Sequence, residues 1–394
     1  MRILVLNYEY PPLGGGSSPI TASLCNELAD RGVRVDVVTM AFRGLPKLEK
    51  HGNLQIHRIR CLRSRKHICY FHELSSYVIS ATLKALSLAK KNRYDLVHTH
   101  FIVPGGIVAY LLHARLGIPY VITAHGSDVP GYNPDRFRWI HRLIGSVWRR
   151  VLSKALAVTS PSEILASLIR KATREPVAIE VIPNAIDPDW NRPSIKHSSI
   201  LVVSRLFERK GVQYLLQALG TIRTGCEIHI VGDGPLLPHL QNLAAQVPDE
   251  VVFHRWLEND SAALKKLYQE ALVFVFPSEA ENFPVCLLEA MVSGVAVLAS
   301  DIPGCREVLG DTAVYVPPRS SEAIRDALKD LTNQRSRADA MGRASRRRAV
   351  EKFSWGVVAE QYLNLFKTLR PDASFEIIEG ADPVESTKSR SDCA

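Results

Sequence analysis

Residues Leu272 to Met291, LVFVFPSEAENFPVCLLEAM, constrain this chain more than any other stretch. An apolar run of strand length, Leu272 to Phe276, breaks at Pro277-Ser278, crosses a short acidic segment and resumes with helical spacing. Two carboxylates eight residues apart ride on it, Glu281 on the loop and Glu289 in the second turn of the helix. Glu289 lies within Val-Cys-Leu-Leu-Glu-Ala-Met-Val, where an unpaired buried carboxylate is costly to desolvate. It requires a partner in the protein or in a ligand, unless the helix turns it to the surface.

At 394 residues the chain is too long for one core and suits two domains. Its composition, 46% hydrophobic and 23% charged, is that of a globular protein. Seven cysteines occur without a Cys-x-x-Cys or Cys/His cluster of zinc spacing, so reduced thiols and no metal are expected. The N-terminus runs from Met1 directly into a strand pattern rather than a signal peptide, and no run of 18 apolar residues is present; Phe101 to Ala124 is interrupted by His113 and Arg115. A soluble or peripheral, cytoplasmic protein is expected. A net charge of +9 points to an acidic partner: a nucleoside diphosphate, nucleic acid or an anionic membrane face.

Arg2 to Leu6 is a buried strand, followed by a loop containing Gly14, Gly15 and Gly16, a helix with Leu24, Leu28 and Ala29 facing inward, and a strand from Val33 to Val38. The amides of such a glycine turn can cup a phosphate. A dinucleotide fingerprint is broken, because Pro19 takes the third glycine's place and the second strand ends in Thr39 rather than an acid. The cations between Arg58 and Lys91 surround an apolar helical stretch from Tyr77 to Leu88, which reads either as a solvated face or as a site for anionic lipid or acceptor. Tyr120 to Ala124 is a strand ending at His125-Gly126-Ser127-Asp128; it puts an imidazole at the carboxyl edge of a parallel sheet, where open α/β sheets hold ligands. Arg136 to Lys154 is a basic helix with Trp139 and Trp148, open to core packing, lipid attachment or nucleic acid. Asp187-Pro-Asp189 lies beside linker prolines, which argues against a metal site there. Further on, the strand from Ser199 delivers Arg205 to its carboxyl edge, and Lys210-Gly211 follows at a helix start, two cations that suit a diphosphate. Gly232-Asp-Gly234 turns after the strand Glu227 to Val231, and Arg335 to Lys352 reads as solvated helix faces.

The strand, Pro-Ser and two glutamates separated by seven residues resemble the signature of the retaining, nucleotide-sugar-dependent glycosyltransferases of family 4, with GT-B architecture. The resemblance extends over roughly residues 1 to 370, with the motifs in the same order. It implies two Rossmann-like doubly wound α/β domains facing across a cleft: 1–187 on the acceptor side, a linker 188–198, 199–354 for the nucleotide sugar, a helix over about 355–370 returning to the first domain, and a disordered tail 371–394. It implies that Glu281 contacts the sugar hydroxyls and Glu289 the ribose, and that amides around Asn282, Phe283 and Val285 face the diphosphate. Asn282 stands where the family often has Gly, and Pro284 has no N–H to give. It further implies that Gly14 to Gly16 close over the diphosphate, that Arg205 and Lys210 neutralise it, that Gly232 lies near the nucleotide, that His125 reaches the sugar near its 6-hydroxyl and that Asp128 points toward the acceptor.

The activity this implies is transfer of a glycosyl unit from a UDP-sugar or GDP-mannose to an acceptor hydroxyl, metal-independent, in cell-surface polysaccharide or glycolipid assembly, with His125, Arg205, Lys210 and Glu281 as catalytic groups. The partners are the nucleotide sugar, a saccharide or lipid-linked acceptor and anionic membrane, not nucleic acid. A nucleotide-sugar 2-epimerase and a non-enzymatic sugar-binding protein are the alternatives.

Overall fold

A computed structural model describes residues 1–373 except 67, 133, 174, 175 and 259, with the backbone alone over 134–143. The expected disordered tail lies, from residue 374, outside the described residues, as do the side chains of Arg136, Arg138, Trp139 and Arg142. The chain forms two compact units: residues 1–99 with 108–120 and the segment from Leu365, and residues 100–107 with 121–364.

In the first unit, strands β1 (Arg2–Leu6), β2 (Arg34–Met40), β3 (Leu48–His51), β4 (Leu54–Ile59) and β5 (Leu96–His100) take the order β3-β4-β2-β1-β5. Only β3 is antiparallel; the other pairings are parallel. Ile3 to Leu6 are fully buried, as expected of parallel strands covered on both faces. A buried carboxylate of this sheet, Asp36, accepts from Arg2, from His57 at 3.1 Å and from the Tyr94 hydroxyl at 2.9 Å. Burial pushes its pKa up, but these three partners together hold it below the usual carboxylate range.

The second unit contains the parallel strands β6 (Tyr120–Thr123), β7 (Ala157–Ser160) and β8 (Ile179–Val181). Its six-stranded parallel sheet comprises β9 (Ser199–Val203), β10 (Glu227–Val231), β11 (Val251–His254), β12 (Val273–Phe276), β13 (Ala296–Ser300) and β14 (Val314–Val316), ordered β11-β10-β9-β12-β13-β14. The order reverses between β9 and β12, the point at which doubly wound sheets open a crevice beyond their carboxyl ends. The β9–β12 pairing stops at Leu201 and Phe274, so the last residues of both strands diverge toward that crevice. Phe274, Phe276 and Tyr268 stack in the core beneath it, each burial contributing about 1.5–3 kcal/mol.

The arginine-rich segment is the helix Arg335–Phe353, and two of its cations are half-buried and bonded to backbone carbonyls. Arg346 donates to the carbonyls of Pro188, Asn191 and Val292, and Arg348 to those of Glu307 and Val308. Their long apolar stems lie along the protein while the heads satisfy carbonyls, which a charge count cannot reveal. In the final helix, Trp355–Leu369, the Tyr362 hydroxyl lies 3.3 Å from both the Thr123 and the Thr159 hydroxyls, and Phe366 packs edge-on against His98.

Candidate active site

Two loops meet at the switch point between β9 and β12. The first leaves β9 through Arg205 and ends in the 3-10 turn Glu208–Lys210 and Gly211; the second leaves β12 through Pro277 and Ser278. Glu279 donates its amide to the Arg209 carbonyl at 2.9 Å, and the Ser278 hydroxyl oxygen lies 3.3 Å from the same oxygen. Gly211 is at φ 74, and a Cβ there would fall 2.0 Å from the Pro277 carbonyl oxygen. Glycine is therefore what allows the loops to touch.

This contact brings Lys210 onto Glu281. The ammonium and the Glu281 carboxylate are paired, and the Ser278 hydroxyl donates to the same carboxylate oxygen at 2.6 Å. Arg205 differs: its guanidinium is exposed and has no hydrogen-bond or ion-pair partner among the described residues. One cation is thus held in place while the other is free to receive an anion.

The helix Val285–Val292 begins after Pro284. The first bond of that turn is from the Leu287 amide to the Pro284 carbonyl, so the Val285 and Cys286 amides stand at the mouth of the helix, where the dipole favours an anion. Asn282 and Phe283 turn inward: the Asn282 side-chain oxygen accepts from Ser162, and the Phe283 ring packs on Phe353 while its carbonyl accepts from Asn184. Glu289 is 6% exposed and accepts from the Tyr268 hydroxyl at 2.9 Å. Burial raises its pKa to about 7. The carboxylate that needed a partner has found one in a tyrosine, with room in its hydrogen-bonding capacity for further donors.

Two further glycines fix the loops: Gly304, which carries no role in the sequence reading, and Gly232, expected near the nucleotide. A Cβ on Gly304 would lie 2.4 Å from the Glu281 carbonyl oxygen. Gly232, at φ 142, would place one 1.8 Å from the Ser204 carbonyl, so the Gly232 turn lies directly against the backbone that carries Arg205.

His125 follows β6. Its Nε2 is 3.0 Å from Nδ1 of His100, the last residue of β5, with ring centroids 5.3 Å apart. Phe101 packs its ring 4.6 Å from His125 and sits at φ 69, a left-handed conformation that is costly for a bulky side chain and typical of functional positions. Burial lowers the His125 pKa to about 4, so the imidazole is neutral near pH 7. His100 was not singled out from sequence, although a strand ending His-Thr-His was the available signal.

Asp128 was expected to face an acceptor. Its carboxylate instead accepts from the amides of Ile102 at 2.8 Å, Gly126 at 2.9 Å and His125 at 3.1 Å, and its carbonyl accepts from the buried Trp148 indole. It holds the His125 loop in shape, and Trp148 is a core residue rather than a lipid anchor.

In the first unit, the glycine turn is already engaged by an anion. Glu9 is 9% exposed and its carboxylate accepts from the Gly15 amide at 3.3 Å and the Ser17 hydroxyl at 3.1 Å. Gly14, at φ 98, passes so near that a Cβ would meet the Glu9 side chain at 2.6 Å. One of the amides expected to cup a phosphate, that of Gly15, is thus bonded to a side chain of its own loop, and the Gly14 amide donates to the Lys66 carbonyl at 3.0 Å.

A family model described as Glycosyltransferase Family 4 matches residues 14–190, and one described as Glycosyl transferases group 1 matches residues 197–334. An uncharacterized glycosyltransferase of Methanocaldococcus jannaschii is 26% identical over 393 residues, covering 93% of this chain and 98% of that protein. Among solved structures, sucrose-phosphate synthase of Thermosynechococcus elongatus superimposes with a TM-score of 0.79 at 21% identity, over 94% of this chain and all of that one (100%). HepE of Anabaena, in complex with UDP-glucose, superimposes with a TM-score of 0.71 at 16% identity, over 93% and 100% of the two chains.

Proposed function

The chain is a glycosyltransferase of family 4 with GT-B architecture, and we propose that it moves a glycosyl unit from a UDP-sugar or GDP-mannose to an acceptor hydroxyl with retention of configuration. The observation that carries the reading is the arrangement at the β9–β12 switch point: Lys210 fixed on Glu281, and Arg205 exposed without a partner at the end of β9. A diphosphate fits an Arg fork and a Lys point charge at the mouth of a helix.

The chemistry follows from that charge. When the phosphate oxygen leaves on the face that the acceptor approaches, it can take the acceptor's proton, and no protein nucleophile is needed. Arg205 and Lys210 stabilise the leaving diphosphate; preorganised contacts of this kind contribute about 3–4 kcal/mol each. Glu281 accepts from the sugar hydroxyls, and on donor binding the Lys210–Glu281 pair is shared with the ligand. Glu289 accepts from the ribose hydroxyls, which join the Tyr268 hydroxyl already on it. Neutral His125 contacts the sugar as a hydrogen-bonding group rather than as a cation. We propose turnover without added metal and, given the basic surface, a saccharide or lipid-linked acceptor of cell-surface polysaccharide or glycolipid assembly at the cytoplasmic face of a membrane.

A thermal-shift screen against UDP, GDP, ADP and their sugars, first without metal and then with magnesium, tests the donor reading, because a ligand that binds the folded state raises the melting midpoint. A rise with one nucleotide and no dependence on magnesium supports it. No response from any nucleotide would remove the donor assignment, and release of an altered free sugar without acceptor would favour an epimerase.

A further inference from the structure

The helix Phe71–Lys91 buries Tyr77, Ala81, Ala85 and Leu88, a stripe at helical spacing. On an amphipathic helix the opposite stripe is polar. Here it carries Ile79 and Leu83, 65% and 66% exposed, then Leu86 and Lys90. Leu83, Leu86, Ser87 and Lys90 join Arg115 and Leu116, at the end of the helix Gly105–Leu116, in lining an open groove of about 540 Å³. Leu116 is itself 48% exposed.

The charge around this groove has one sign. Lys84, Lys90, Lys91, Arg93 and Arg115 make no ion pair among the described residues. The only acid on the longer helix is Glu73, 1% exposed and bonded to the Tyr70 and Ser64 amides; the shorter helix, GGIVAYLLHARL, has none. A face meant for water intersperses both signs, and one meant for a neutral protein partner does not surround its apolar centre with unpaired cations.

We propose that this face docks on an anionic lipid bilayer, with Ile79, Leu83 and Leu116 entering the interface and Lys90 and Arg115 at the headgroups. Leucine and isoleucine supply buried apolar area, and the cations supply attraction to acidic lipid; together they meet the requirement that stable peripheral attachment combine two signals. Nothing on this face enters the argument for the donor site, so its test needs no turnover.

The full chain is sedimented with vesicles of phosphatidylcholine alone and of phosphatidylcholine mixed with phosphatidylglycerol, at low and at high ionic strength. The parent chain binds the mixed vesicles, binds phosphatidylcholine far more weakly and is released by salt. Neutralising two cations together (Lys90→Gln, Arg115→Gln) lowers the partition coefficient roughly thirtyfold. Removing the apolar tips (Ile79→Ser, Leu83→Ser) lowers it by at least about tenfold and leaves the melting midpoint unchanged, since both side chains are exposed. Equal binding to both vesicle types, or variants that bind like the parent, would overturn the proposal. So would a self-associated parent chain that ignores vesicles and becomes monomeric on Leu83→Ser, which would assign the face to a second copy.

Discussion

His100 Nδ1 and His125 Nε2 are 3.0 Å apart with the rings tilted by only 20°, so the two imidazoles share one proton and fix each other's tautomer. The nitrogen of His125 left for a ligand is therefore Nδ1. His100→Ala should lower kcat about five- to tenfold, the worth of one positioning hydrogen bond, with the nucleotide Kd unchanged. His100→Asn, which keeps a hydrogen-bonding group, should recover part of the loss. Equal kcat in all three proteins would deny His100 any positioning role.

The same histidine gives a pH dependence to stability. Unfolded, His125 binds a proton below about pH 6.5; folded and buried, it does so only near pH 4. Between these values the unfolded state holds more protons, so stability is complete above pH 6.5 and falls as pH drops toward 4. Denaturant unfolding at pH 7 and pH 5 should show that loss in the parent chain and a smaller one in His125→Gln.

Arg205→Ala and Lys210→Ala should each lower turnover by about two to three orders of magnitude, as loss of a preorganised charge contact does. Steady-state rates with the donor found by thermal shift measure this, and near-normal rates in both would refute the diphosphate assignment. Glu281→Ala should impair transfer, because it removes a sugar contact and also releases Lys210. Glu289→Ala should act mainly on nucleotide affinity, and the reverse pattern would exchange the roles of the two glutamates.

Glu289 supplies a separate titration. Burial raises its pKa to about 7, so the carboxyl is largely protonated at pH 6 and ionised at pH 8. Ribose hydroxyls donate best to the ionised form, and nucleotide binding should release a proton. Affinity measured by calorimetry should rise by up to about tenfold from pH 6 to pH 8, and Glu289→Gln should abolish that rise. For folding the sign is opposite: the unfolded carboxyl ionises near pH 4.5, so this residue's contribution to stability declines as pH rises from there to 7.

Gly211→Ala and Gly304→Ala each force a methyl group within 2.4 Å of a backbone carbonyl. Each should cost about 1–3 kcal/mol of stability and, by moving the loop that holds Glu281, weaken donor binding even where the chain remains folded. Melting midpoints with and without nucleotide separate the two effects.

The strands were legible because parallel strands covered on both faces read as continuous apolar runs; Arg2–Leu6 and Ser199–Val203 needed no tertiary information. Lys210 and Glu281 could be named from motif spacing, but their pairing depends on Gly211 passing under Pro277, which only three-dimensional contact reveals. The partner of Glu289 was required by its apolar surroundings, yet nothing local in the sequence identifies Tyr268, 21 positions away. Asp128 and the Gly14–Gly16 turn share one reason: an acid of the same loop can satisfy the loop's own amides, and sequence does not say whether those amides are already taken. Arg346 and Arg348 belong to a charge run whose stems reach carbonyls on other elements.

Tyr362 sits between Thr123 and Thr159, and Phe353 receives the amide of Ile186 at 2.8 Å. These links join the middle of the chain to its last helices, across 239 positions for Tyr362 and Thr123. During synthesis, β6 and β7 must therefore wait, with part of their surface uncovered, until the helix Trp355–Leu369 leaves the ribosome. A nascent chain stalled before Trp355 presents the Thr123–Thr159 hydroxyl pair without its closing tyrosine, so the helix Trp355–Leu369 is the step that closes over β6 and β7.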